Sequence, residues 1–130
     1  MSYLIKWDNT EKTVILQQYT DNPVKDDLYR LAEESAKMLQ NVSHTVHLII
    51  DERSAKVTLN PTDMKYLEDN VPANQGAVVM VVEEGGLTYK RVMQDVARTV
   101  APKAFDQPYF AKTVEDARQL LQDQFGVTYP

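Results

Sequence analysis

Apolar residues recur along this chain with two periods, and the switches between them mark out nine elements. Residues 3–7, Tyr3-Leu4-Ile5-Lys6-Trp7, read as a strand that places Tyr3 and Trp7 on one face. Asp8-Asn9-Thr10-Glu11 is turn chemistry. Residues 12–19 are rich in β-branched and aromatic side chains and predict a second strand, so the first two form a hairpin. Asp21-Asn22-Pro23 predicts a helix start, a capping side chain followed by proline at the first helical position. Val24, Leu28, Leu31, Ser35, Met38 and Leu39 then recur at helical spacing, with Asp26, Asp27, Arg30, Glu33, Glu34 and Lys37 mostly off that stripe.

The period returns to two at 46–50, where Val46, Leu48 and Ile50 share one face. A polar loop, 51–59, follows. Asn60 then stands as an N-cap, Pro61 at the first helical position and Asp63 where it completes a capping box. Met64, Leu67 and Val71 form the inner side of that short helix. The run 77–82 is continuously apolar and valine-rich, which predicts a strand buried on both faces. From about Thr88, the residues Tyr89, Val92, Met93, Val96, Ala97 and Val100 repeat at helical spacing until Pro102. A short strand at 109–112 precedes Thr113, which caps a last helix with Asp116 at N3. That helix has Val114, Ala117, Leu120, Leu121 and Gln124 on one face and Gly126 as its terminator. The order is β-β-α-β-α-β-α-β-α. It predicts an α/β fold with a mixed, mostly parallel five-stranded sheet and four helices, one hairpin pair being antiparallel.

Composition narrows the function classes. At 130 residues the chain is expected to form one domain with a real core. Fourteen basic against nineteen acidic residues give a net charge of −5, which argues against non-specific nucleic-acid binding. The absence of cysteine removes disulfides, thiolate nucleophiles and thiolate metal sites. The opening residues lack a basic segment ahead of an apolar stretch, so no signal peptide is expected. The apolar run 77–82 is far short of the roughly 20 residues a spanning helix needs. A cytoplasmic protein without membrane insertion is the expectation.

Candidate chemistry is thin. His44 and His47 are three apart, so on one strand they point to opposite faces and do not form a metal pair. Asp51-Glu52 would serve as an acid–base pair only if the two carboxylates converged, and adjacent residues diverge. Ser54, Thr58 and Thr62 supply hydroxyls with no base at a recognisable spacing. Gly85-Gly86 follows Glu83-Glu84, matches no phosphate-loop motif and reads as a turn. Lys90, Arg91, Arg98 and Lys103 make the third long helix locally basic, either as a solvated face or as a docking patch for an acidic or phosphorylated partner.

Several stretches resemble one family. The strand ending Ile49-Ile50-Asp51 and the short helix opened by Asn60-Pro61-Thr62-Asp63 are similar to the STAS domain. That is the fold of bacterial anti-sigma-factor antagonists and of the cytoplasmic tails of sulfate transporters. Lys6-Trp7-Asp8 and Asn74-Gln75-Gly76 resemble small stand-alone bacterial STAS-like proteins of unassigned function. The resemblance spans nearly all of 1–130 as a single STAS-like domain.

It implies a non-catalytic regulatory or protein-interaction module without a cofactor. A protein partner would dock at loop 51–59 and the start of helix 60–71, through Asp51, Ser54, Thr58, Asn60 and Thr62. The chain departs from the family at 59–63: Leu59-Asn60-Pro61-Thr62-Asp63 stands where antagonists carry Asp-Ser-Ser/Thr-Gly, whose hydroxyl is phosphorylated. Thr58 and Thr62 are the hydroxyls left in that place. The alternative is a small apolar ligand or lipid held between sheet and helices, with Met64, Tyr66, Tyr89 and Met93 as its walls. An enzyme would have to work with Asp51, Glu52 and the histidines alone and is disfavoured. An edge strand leaves room for a homodimer.

Overall fold

A computed structural model of the chain describes residues 2–55, 59–83, 87–103 and 108–129, and of 87–90, 93, 94 and 108 the backbone only. Nine elements follow in the expected order: β1 (Tyr3–Trp7), β2 (Val14–Tyr19), α1 (Lys25–Gln40), β3 (Val46–Asp51), α2 (Pro61–Asp69), β4 (Gln75–Val81), α3 (Leu87–Val100), β5 (Pro108–Ala111) and α4 (Val114–Phe125). The sheet runs β1-β2-β3-β4-β5, with β1 and β2 antiparallel and every later pair parallel. The fold is α/β with a mixed, mostly parallel sheet.

The alternation of each strand sorts its side chains onto two apolar faces. Val14 and Leu16 of β2, Ile49 of β3, and Ala77, Val79 and Val81 of β4 lie against Val114, Ala117 and Leu121 of α4. On the opposite face Ile15, Val46 and Leu48 pack on Leu39 of α1, and Tyr3 and Tyr19 on its Leu31. Gly126 ends α4 at φ 66°, the left-handed turn expected of it. Segment 127–129 then returns to the hairpin. Arg118 Nη2 lies 2.7 Å from Asp8 Oδ1, and the Tyr129 hydroxyl donates to Asp8 Oδ2 at 2.6 Å. Asn9 Nδ2 donates to the Thr128 carbonyl.

Several expectations are corrected. Helix α1 starts at Lys25 with Val24 as its N-cap and no side-chain cap, not at the proline. Asp21 Oδ1 instead accepts the neighbouring Asn22 amide, and the helix N-terminus is met by the charges of Asp26 and Asp27. Val24 is 63% exposed and does not belong to the buried stripe. In α3, Val92, Val96 and Val100 are 57%, 50% and 40% exposed, and the buried contact is made by Ala97 with Ala101 beyond the helix. Small residues let α3 approach Met64 of α2 closely, which turns the valine row outward. Gln124 of α4 is exposed, and Phe125 packs against the core beside Leu120. Strand β4 is filled on one face only: Ala77, Val79 and Val81 are buried, whereas Val78 and Met80 are half-buried.

An irregularity in β4 positions His47. Val46 pairs with Gln75 and Leu48 with Val78, so β4 carries one extra residue opposite His47. The His47 ring takes over the pairing there: its Nδ1 accepts the Ala77 amide at 2.9 Å, and its face lies 4.9 Å from the Phe125 ring. Burial lowers the pKa of His47 below the usual 6.5. The unfolded chain therefore binds this proton more readily than the folded one. The stabilisation is complete above about pH 6.5 and is lost as pH falls toward the depressed folded value. Chemical denaturation between pH 7.5 and 5.5 should show that loss. It should flatten in His47→Asn, which keeps an acceptor near Ala77 but does not titrate. The carboxylates Asp51 and Asp63 are held below 3.8 and act in a lower window.

Candidate functional site

Of the residues expected at a partner surface, Asp51 is buried, Ser54, Asn60 and Thr62 are exposed, and Thr58 lies outside the described residues. Asp51 is buried at the end of β3, where Arg53 grips it with Nη2 2.9 Å from Oδ2 and Nε 3.0 Å from Oδ1. Its Oδ1 also accepts the Arg53 amide, and Gln18 Nε2 donates to Oδ2. Burial pushes the Asp51 carboxyl up, but these bonds outweigh it and hold the pKa below its usual value. Glu52 points to the other side of the sheet, so the two acids diverge. Asn60 is spent inside its own helix. Its Oδ1 accepts the Asp63 amide at 2.8 Å while Asp63 Oδ2 accepts the Asn60 amide at 3.1 Å, the capping box legible in the sequence. Ser54 and Thr62 are exposed, and Thr58 lies outside the described residues.

Asp63 does more than cap. It is buried, and its Oδ1 accepts the Tyr29 hydroxyl of α1 at 2.7 Å and lies 3.4 Å from Lys25 Nζ. Burial raises its pKa, but Tyr29, Asn60 and Lys25 outweigh that and hold it low. The Tyr29 ring stacks on Tyr66 of α2 at 4.3 Å, and Tyr66 donates to Glu33. The start of α2 is thus pinned to α1 by a polar seam.

Beneath that seam the packing is incomplete. A cavity of about 150 Å³ lies between α1, α2 and the sheet. Its floor includes Leu48 and Ile50 of β3 and Val78 and Met80 of β4. Ala32 and Ala36 of α1 and Leu59 and Leu67 at α2 form walls. Val78 and Met80 are half-buried because they face this open space. Polar groups break the lining in places. Gln17 Nε2 donates to Ser35 Oγ at 3.1 Å at the β2–α1 side, and Glu52 and Asp63 also border the space. In the sequence Leu48, Ile50, Ser35, Leu67 and the run 77–82 are expected only as packing and Asp63 only as a cap, while Gln17, Ala32 and Ala36 carry no expectation of lining a pocket. The alanines at 32 and 36, one helical turn apart on the buried side of α1, were the available signal.

Of the walls expected for an apolar ligand, the two with described side chains, Met64 and Tyr66, do not line this space. Met64 packs on Ala97 and Ala101, Tyr66 lies in the outer stack, and the side chains of Tyr89 and Met93 are outside the described residues. His44 is exposed, with Nε2 2.7 Å from the Lys12 carbonyl, far in role from buried His47. Among the described residues no group of three or more His, Asp or Glu side chains could hold a metal ion, and no helix is long and apolar enough to cross a membrane. Of the basic set on α3, Arg91 and Arg98 are exposed, as is Lys103 beyond it. Arg91 sits over the Phe110 ring at 5.6 Å, the Lys103 amide donates to Glu68, and the Lys90 side chain and Gly85-Gly86 lie outside the described residues. Compared with protein-family models, curated proteins and solved structures, the chain matches none.

Proposed function

We propose that this protein is a non-catalytic binding module that holds a small, largely apolar molecule beneath α2. The cavity between α1, α2 and the sheet supports this reading. Protein interiors are packed to crystal-like density. The space of about 150 Å³ is open at its rim, a recess whose apolar walls lack packing partners on one side. Water offsets part of that where Gln17, Ser35 and Glu52 give it partners. An apolar ligand that fills the remainder recovers more, because Leu48, Ile50, Val78 and Leu67 offer water nothing.

Ala36→Leu tests the reading. The added isobutyl group enters the cavity from α1. Small-molecule uptake by the purified protein, followed by native mass spectrometry, should disappear, while the melting temperature holds or rises because the void is filled. Uptake that persists unchanged in this variant would sink the proposal.

A partner-docking role for the neighbouring edge is supported by Ser54 and Thr62, which are exposed and stand within two residues of cavity-lining Glu52 and Asp63. On this reading the edge reports whether the cavity is filled. Asp51 and Asn60 hold loop and helix in shape for it and do not touch the partner.

A further inference from the structure

A polar pair interrupts the apolar seam between α1 and β2. Ile15, Gln17 and Tyr19 share the face of β2 that meets the buried stripe of α1. Ile15 packs with Leu39 and Tyr19 with Leu31, but between them Gln17 meets Ser35. Gln17 and Ser35 are each only 6% exposed. Such a pair adds little to stability, since apolar side chains of the same shape would serve about as well.

The pair is also under-used. A glutamine amide has two N–H donors and an acceptor oxygen. Among the described residues Gln17 makes one side-chain bond, from Nε2 to Ser35 Oγ at 3.1 Å. One N–H, the Oε1 atom and the Ser35 hydroxyl proton are left over. The Tyr19 hydroxyl, on a residue 8% exposed, has no hydrogen-bond partner among the described residues. Burial above all raises its pKa, so it stays a neutral donor. All three residues line the space beneath α2. Buried polar groups are bonded in the great majority of cases, so this spare capacity points to a group that enters from that space.

The groups left over are uncharged, several donors and one amide acceptor. A ketone or ether would satisfy donors and leave Gln17 Oε1 unpaired. A carboxamide carries its acceptor and its donor on separate atoms and can answer both at once. Size sets the rest, since a space of about 150 Å³ holds about one aromatic ring.

Resting on the binding role proposed above, we infer that the occupant is a neutral amide or lactam with a body of about one ring. Its N–H donates to Gln17 Oε1, its carbonyl accepts from the donors of the same wall, and the ring lies over Leu48, Ile50 and Val78.

Benzamide and toluene, one ring with and without the amide, test this when titrated against the native chain and Gln17→Met and followed by backbone amide chemical shifts. Gln17→Met keeps the length of the side chain and removes its hydrogen bonds. Benzamide should saturate the native chain, with shifts centred on β2 and α1. In Gln17→Met the ratio of benzamide to toluene affinity should fall at least about tenfold, the effect of a buried polar group left unpaired. Taking the ratio to toluene removes any change in the space itself. A ratio that Gln17→Met leaves unchanged, or a native chain that binds toluene and not benzamide, overturns the amide inference and leaves the cavity reading standing. No binding of either probe to the native chain overturns the binding role and this inference with it.

Discussion

Arg118→Met is expected to destabilise the protein by about 3 kcal/mol at neutral pH, the low end for breaking a buried ion pair. The Asp8 side chain is 1% exposed and Arg118 28%, so the asymmetry decides which partner is dangerous to remove. Taking away the guanidinium leaves a buried carboxylate that still accepts from the Tyr129 hydroxyl. The half-open rim lets water reach part of the site, which is why the low end applies. The same bonds raise the pKa of Arg118, chiefly through Asp8, and burial followed by Asp8 raises that of Tyr129. Both therefore stay in their donor forms through the accessible range. Urea titrations should show that adding Asp8→Asn to Arg118→Met restores part of the loss, because it removes the stranded charge. A double variant no more stable than Arg118→Met alone would mean the cost lies in lost stacking of the guanidinium over the Tyr129 ring.

Nothing near Asp8 or Arg118 in the chain announces this pair, since they are 110 residues apart. The sequence speaks clearly where the physics is local. The periods of two and 3.6 place all nine elements in order, because burying a face is a demand each element makes by itself. The capping box at Asn60 and Asp63 and the left-handed Gly126 are legible for the same reason, each being settled within four residues. Asp21-Asn22-Pro23 carries the same kind of signal, yet the helix starts later, because the Asp21 carboxylate is taken up by the Asn22 amide.

The candidate site was the least legible part. Asp51 and Asn60 stand at an edge where ligands often bind, but a residue type does not reveal that its oxygens are already engaged by Arg53 and Asp63. A cavity is a mismatch in spacing between α1, α2 and the sheet, so it belongs to no single segment. The runs that line it, such as 77–82, read as fully packed strand. The valine row of α3 shows the converse: helical spacing identifies a stripe, and only the neighbour decides whether that stripe or the alanines beside it turn inward.

Gly76→Ala is the substitution expected to match Arg118→Met in cost, again about 3 kcal/mol, although it adds a single methyl group. A Cβ built there would stand 2.5 Å from His47 Nδ1, 2.7 Å from Cε1 and 2.8 Å from Thr45 Cγ2. No left-handed backbone is involved, since Gly126 has the positive φ among the described glycines. The glycine is required by the close approach of the imidazole. That ring cannot yield cheaply, because it is wedged against Phe125 and accepts the Ala77 amide that the irregular register of β4 leaves to it. Overpacking alone costs roughly 1–3 kcal/mol, and a stranded buried amide adds roughly another 1–3. The two penalties share one movement of one ring and so do not add fully. A double-mutant cycle with His47→Ala separates them. Removing the imidazole leaves only the contact with Thr45 Cγ2, so Gly76→Ala in that background should cost less than about 1 kcal/mol, because the roughly 0.5–1 kcal/mol by which alanine is favoured over glycine within a strand offsets what remains. Equal costs in the two backgrounds would place the strain at Thr45 instead. The same cycle read as a function of pH carries a further expectation. Protonation of Nδ1 removes the acceptor for the Ala77 amide, so the coupling between positions 47 and 76 should shrink as pH falls through the depressed folded value.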